Sequence, residues 1–190
     1  MPQPRFRPAR REDCAAIAAL FRISSDGIAD YIWTQLAQPG EDILAVGRRR
    51  YEREDSAFSY RNCTLVEDEG GIIGMLVAFP MHSEPTGEQN DPVLAPYSTL
   101  EVDRSYYISG MALLPEHRGR GIGARLLQLA EEQAREQGYK ALSLIVFEQN
   151  SGAKRLYERY GYREVKRATV YPHPLIRYTG DAVLMLKALA

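Results

Sequence analysis

The chain has 190 residues, 45% apolar and 26% charged, which suits one domain with one sizeable core. A net charge of −1 excludes an overall pull towards nucleic acid or an anionic membrane surface. Cys14 and Cys63 are too few for a disulfide framework, and His82, His117 and His173 show no ligand spacing, so no metal is expected. No apolar run has membrane length and no signal-peptide pattern is visible, so the cytoplasm is the expected location. The charge is unevenly spread. Residues 62–103 hold Glu67, Asp68, Glu69, Glu84, Glu88, Asp91, Glu101 and Asp103 and no Lys or Arg, whereas residues 104–190 are basic on balance. A basic half suits a polyanionic ligand, and an acidic segment suits a cationic one.

Arg5 to Ala9 reads as a first strand. A helix follows, capped or opened by Asp13, with Cys14, Ile17, Ala18, Leu20 and Phe21 on its apolar face. Residues 24–38 predict a second helix. Ser25-Asp26 caps it, and Ile28, Ile32 and Leu36 repeat at i+4, which leaves Tyr31 and Trp33 on other faces. Pro39-Gly40 ends it. A third helix over 41–54 carries Arg48-Arg49-Arg50, a solvated cluster in the absence of interleaved aromatics. Asn62–Glu67 and Ile72–Phe79 read as strands around the turn Glu67–Gly71. Residues 80–99 hold four prolines without periodicity, the pattern of a long loop or lid ahead of the next strand.

The stretch Ser105–Gly123 organises the rest. Tyr106, Tyr107, Ile108, Met111 and Leu113 are β-prone, and Pro115 ends the strand because it has no ladder donor. A helix then begins near Gly121. Ile122, Leu126, Leu127, Ala130 and Ala134 share one face of it, and Gly138 stops it. The first turn of a helix has unpaired N–H groups at the positive end of its dipole. Glycines at 119, 121 and 123 let an anion approach those donors, and Arg118 and Arg120 add charge and forked hydrogen bonding. The run is therefore an anion site, best suited to a pyrophosphate.

Three phosphate motifs compete for this run. A Walker loop requires Gly-Lys-Ser/Thr, which is absent. Gly119, Gly121 and Ala124 fit a dinucleotide G-x-G-x-x-A pattern, with Glu148 as the acidic partner. In that motif, however, the strand leads straight into the first glycine, and here Pro115–Arg118 intervenes. Arg118-Gly119-Arg120-Gly121-Ile122-Gly123 resembles the (Q/R)-x-x-G-x-(G/A) signature of the GNAT superfamily of acyl-CoA-dependent N-acetyltransferases, and Leu113-x-Pro115-Glu116-x-Arg118-Gly119 resembles its usual lead-in.

The rest of the chain continues the resemblance. Ala141–Phe147 reads as a buried strand, parallel to the central one across the helical crossover. Asn150-Ser151 caps a helix bearing Ala153, Leu156, Tyr157 and Tyr160, closed by Gly161; Tyr162–Val170 and Asp181–Leu189 are the last strands. Leu156-Tyr157-Glu158-Arg159-Tyr160-Gly161-Tyr162 resembles the family's L-Y-x-x-x-G-(F/Y) motif. The expected fold is α/β, a mixed sheet with helices on both faces in one GNAT-like domain over 1–190.

What the resemblance implies is specific. Acetyl-CoA is the cofactor, and an amine attacks its thioester directly in a ternary complex. The main chain of Met111, Ala112 and Leu113 holds the pantetheine arm and thioester, the amides of Arg118, Gly119, Arg120, Gly121, Ile122, Gly123 and Ala124 hold the pyrophosphate, and Asn150 bonds the pantetheine. Tyr157 is the general acid for the leaving sulfur, a role a phenol of pKa about 10 can fill. Gly110 eases the splay of the central strand. Some family members carry a glutamate where Tyr107 stands. Deprotonation of the acceptor then falls to water, to Glu101 or to another acid of 80–103, unless the acceptor itself has a low pKa. Tyr31, Trp33, Tyr107 and Glu101 are the candidate acceptor-side residues. The acceptor is a small-molecule or peptide amine, with a cationic one favoured by the acidic segment, and a homodimer is open. A non-catalytic acyl-CoA-binding protein and a dinucleotide-dependent oxidoreductase are the competing readings.

Overall fold

A computed structural model describes residues 3–82 and 90–190. Seven of the twenty residues of the expected 80–99 loop, 83–89 with Glu84 and Glu88 among them, lie outside the described residues. The chain divides into two compact units, Met1–Ala78 with Gly110–Leu126 and Phe79–Ser109 with Leu127–Ala190.

The first unit begins with β1 (Arg5–Pro8), which pairs antiparallel with β2 (Cys63–Asp68); β2 in turn pairs antiparallel with β3 (Gly71–Pro80). Arg7 ties this corner together. Its guanidinium donates to Asp13 at 2.8 Å and to Glu67 at 2.7 Å, while the Asp13 carboxylate also accepts from the Arg10 amide at 2.7 Å. Asp13 is 8% exposed, so removing Arg7 would strand a buried charge at a cost of about 3–5 kcal/mol. Much of the acidity at 67–68 is thus spent on structure.

Three helices complete this unit: α1 (Cys14–Ser24), α2 (Ile28–Leu36) and α3 (Ile43–Tyr51). The Asp42 carboxylate caps α3 through the Leu44 amide, and Ser25 Oγ accepts from the Ala29 amide at the start of α2. The helices pack through aromatic rings, with Phe21 5.6 Å from Tyr51 and 6.2 Å from Trp33. The inward face of α2 differs from the one its periodicity predicts. Ala29, Tyr31 and Trp33 are buried, while Leu36 is 45% exposed. Leu36 is the last helical residue, and the large indole of Trp33 sets the rotation of α2 by packing onto Gly47 of α3. A Cβ at Gly47 would lie 2.5 Å from that ring.

In the second unit, β4 (Tyr106–Leu113) starts beside β5 (Ala141–Phe147), and the two pair in parallel over Tyr106–Ile108 and Leu142–Leu144. β6 (Arg163–Thr169) and β7 (Asp181–Ala188) are antiparallel, with β7 next to β5. The helices are α4 (Ala95–Ser98), α5 (Ile122–Glu136), which begins in the first unit, and α6 (Ser151–Arg159). The seven strands run in the order β1-β2-β3-β4-β5-β7-β6, a mixed α/β sheet. The predicted apolar face of α5 is buried at Ile122, Leu126, Leu127, Ala130 and Ala134. Each large side chain there contributes about 1.5–3 kcal/mol by burial. Among the described residues no helix is long and apolar enough to cross a membrane.

Candidate active site

In the first unit, β4 ends at Leu113, and a single 3-10 turn over Pro115–His117 leads to the Arg118–Gly121 loop and α5. Gly119 and Gly121 adopt φ of +74° and +79°, and nothing lies within 4 Å of where a Cβ would stand at either. Both therefore need glycine for backbone conformation, and both leave open space above the loop. The helical ladder starts with the Arg125 amide on the Gly121 carbonyl at 3.1 Å, which places the unpaired first-turn amides of α5 at this loop. Arg118 and Arg120 are exposed, and Arg118 Nε donates back to the Leu113 carbonyl at 3.1 Å. That bond ties the Arg118 guanidinium back to the end of β4. Open space at the two glycines, helix-start amides and two guanidiniums together fit a pyrophosphate in charge.

Two glycines shape the strand that feeds this loop. A Cβ at Gly74 of β3 would come 2.5 Å from Leu113 Cδ2 and 2.8 Å from the Ala112 carbonyl oxygen. A Cβ at Gly110 would come 2.9 Å from Ser24 Oγ and 3.0 Å from the Phe21 ring. Gly110 thus lets α1 pack closely on β4, and its φ is not positive. Gly74 escaped the sequence reading, although an isolated glycine inside a strand is a signal of close backbone approach.

β4 alternates strictly. Tyr106, Ile108, Gly110 and Ala112 are buried, while Tyr107, Ser109, Met111 and Leu113 form a half-exposed face. Among the described residues, its ladder to β5 covers Tyr106–Ile108.

In the second unit, two predicted residues, Glu101 and Tyr157, act electrostatically on a third, Tyr107. The Tyr107 phenol is pushed well above its ordinary pKa, first by burial, then by the charges of Glu101 and Tyr157. Tyr107 also meets Phe79 edge-on, ring centroids 5.7 Å apart. Tyr157 projects from α6 and lies 5.9 Å, ring to ring, from Tyr162, which is buried in the core as expected. The Asn150 side chain accepts from the Ala153 amide at 3.3 Å, the cap that starts α6 in the right place to present Tyr157. The Glu101 carboxyl is exposed, yet partial desolvation raises its pKa.

The acceptor-side residues therefore separate. Tyr107 lies within electrostatic reach of Glu101 and of Tyr157. Trp33, 2% exposed and sealed against Gly47 and Phe21, is a core residue of the first unit, because packing of three helices requires a large ring there. Tyr31 is buried on the same helix at 9% exposure.

Comparison with known proteins agrees with this architecture. The model of the acetyltransferase (GNAT) family matches residues 29–162, a span that contains the loop, β4 and α6. An uncharacterized N-acetyltransferase of Bacillus subtilis (strain 168), YhfO, is 28% identical over 159 residues, 84% of this chain and 89% of that protein. An N-acetyltransferase from Staphylococcus aureus Mu50 superposes with a TM-score of 0.68 at 18% identity over 100% of both chains. An acetyltransferase from Salmonella typhimurium, solved with its cofactor acetyl-CoA, superposes with a TM-score of 0.63 at 18% identity over 100% of this chain and 95% of that one. At these identities the structures show a shared fold, and the family match decides the affiliation: the chain belongs to the GNAT family of acetyltransferases.

Proposed function

We propose that this protein is an acetyl-CoA-dependent N-acetyltransferase, working as one domain and transferring acetyl to a primary amine by direct attack in a ternary complex. The observation that carries the cofactor assignment is the open Arg118–Gly121 turn, with two positive-φ glycines and two arginines at the start of α5. The amides of Arg118–Ala124 would hold the pyrophosphate, and the main chain of Met111, Ala112 and Leu113 the pantetheine. When bound, acetyl-CoA supplies an activated acetyl thioester. Asn150, whose oxygen caps α6, would offer its amide group to the pantetheine.

Tyr157 holds the proton that the departing sulfur requires. A phenol and a thiol have comparable basicity, so that transfer is nearly balanced in energy. The acceptor is a small-molecule or peptide amine, and the acidity around Glu101 favours a cationic one.

The test is release of thiol from acetyl-CoA over a panel of primary amines. Tyr157→Phe is expected to lower kcat by about 10²-fold or more, while leaving acetyl-CoA binding within a few-fold. Unchanged kcat would remove the acid role. Thiol release by no amine, together with undiminished acetyl-CoA binding, would favour the non-catalytic reading.

A further inference from the structure

We propose that His117 is a positioning residue for the cofactor: paired with Asp68, its imidazole fixes the entrance of the Arg118–Gly121 loop, and it does so most firmly when protonated. The inference rests on the acetyltransferase reading above and adds a residue to its cofactor site. It stands on one contact within the first unit. His117 closes the Pro115–His117 turn, directly ahead of Arg118. Its Nδ1 lies 3.4 Å from Oδ2 of Asp68, the last residue of β2. The other oxygen of Asp68 accepts from the Gly70 amide at 2.8 Å, which fixes the carboxylate in the β2–β3 turn. Nδ1 is buried and makes no hydrogen bond among the described residues, while the His117 side chain as a whole keeps 17% exposure.

At 3.4 Å the contact is longer than an ordinary N–H···O bond of about 2.7–3.2 Å. A buried polar atom without a partner calls for a reason. Here the contact closes when the ring is charged, because an imidazolium donates from both nitrogens and its bonds to carboxylates are shorter than neutral ones. The backbone behind the ring is already held. The Leu114 amide donates to the Ile73 carbonyl of β3 at 2.9 Å, and the His117 amide donates to the Leu114 carbonyl at 3.0 Å. Beyond His117 the loop has few anchors. Gly119 and Gly121 have nothing within 4 Å of a Cβ position, and Arg118 is tied by its Nε to the Leu113 carbonyl. Closing His117 on Asp68 therefore removes freedom that the loop would otherwise lose on binding phosphate.

Among the described residues, Asp68 is the one carboxylate within 4 Å of the His117 ring nitrogens. The other charged groups around the turn, Glu69 at the hairpin tip and Glu116, Arg118 and Arg120 in the chain beside His117, are exposed to solvent. Histidine is the side chain whose charge changes between about pH 5 and 8. If the protonated pair holds the loop in its binding shape, phosphate binding takes up a proton at His117, and by linkage the affinity falls as pH rises.

The experiment uses the full chain as wild type, His117→Gln and Asp68→Asn. Binding of dephospho-CoA is measured by calorimetry between about pH 5 and 8. This probe lacks the titrating 3′-phosphate of CoA, so its own charge is constant over the range. Nitrogen-15 NMR follows the His117 ring in parallel, with and without the probe. The expected results are a wild-type affinity that falls about 3- to 10-fold from the acid to the alkaline end, an affinity independent of pH in His117→Gln, and loss of most of the pH dependence in Asp68→Asn. The His117 titration should move to higher pH when dephospho-CoA is added to the wild type, and should move little in Asp68→Asn. A pH dependence that survives intact in either variant, or a His117 titration that ignores the probe, overturns the proposal. The two readings fail differently. Tight wild-type binding of dephospho-CoA at every pH overturns the role of His117 and leaves the cofactor site standing, whereas a wild type that binds neither CoA nor dephospho-CoA at any pH overturns both.

Discussion

Two groups of glycines in the first unit do opposite jobs. Gly119 and Gly121 have positive φ and empty space around them, whereas Gly47, Gly74 and Gly110 have none of that conformational demand and no room for a Cβ. The first pair leaves open space at the start of α5, where the cofactor pyrophosphate is proposed to lie. The second set lets the chain close on itself, at Trp33, at the end of β4 and at Phe21. Space around a glycine therefore separates a binding role from a packing role where residue type alone does not.

Substitutions can break or sharpen that contrast. Gly121→Glu should have the largest effect, abolishing CoA-dependent stabilisation in a thermal melt while the protein still folds, because an anionic side chain would enter the proposed anion site and would strain the +79° backbone there. Gly47→Ala should leave the loop intact and lower global stability. The ring contacts under 3 Å predict an overpacking cost of about 1–3 kcal/mol in urea unfolding. Gly110→Ala should act in the same direction but towards the lower end of that range, about 1 kcal/mol, since Ser24 is a small side chain that can rotate. Reversal of the pattern, with Gly47→Ala harmless and Gly121→Glu unfolding the protein, would collapse the distinction.

The carboxylates of the second unit draw a parallel contrast, with a smaller expected effect. Glu164 bonds Arg167 and Lys154, and these partners lower its pKa to about 2, whereas unpaired Glu101 is raised. A depressed carboxylate stabilises the fold above its unfolded pKa, and that stabilisation is lost as pH falls through its folded value. Stability should therefore decline between about pH 4.5 and about pH 2, and Glu164→Gln should flatten part of that decline in a melting series. A raised and unpaired carboxyl works in the other sense, so Glu101→Gln should slightly stabilise the protein above the ordinary glutamate range.

The sequence reveals the loop because its glycines, arginines and helix start are contiguous, and local chemistry suffices to read an anion site there. Strand positions, the α5 face and the cap at Asn150 are also local signals, and the structure follows them within a residue or two. What it hides depends on partners distant in the chain. The burial of Trp33 is set by Gly47 and Phe21, which no periodicity of α2 contains. The role of Gly74 depends on Leu113, and that of Gly110 on Ser24 and Phe21. Which acids of the 62–103 segment are taken up by structure appears only once Arg7, Arg104, His117 and the backbone amides have been assigned to them.

The most direct test of the central claim is thermal melting of wild type and Gly121→Glu with acetyl-CoA, CoA and NADH in parallel. The account predicts that acetyl-CoA and CoA raise the melting temperature of the wild type alone and that NADH raises neither. Stabilisation by NADH without stabilisation by CoA, or an equal CoA shift in the variant, would contradict the placement of a CoA pyrophosphate on the Arg118–Ala124 loop.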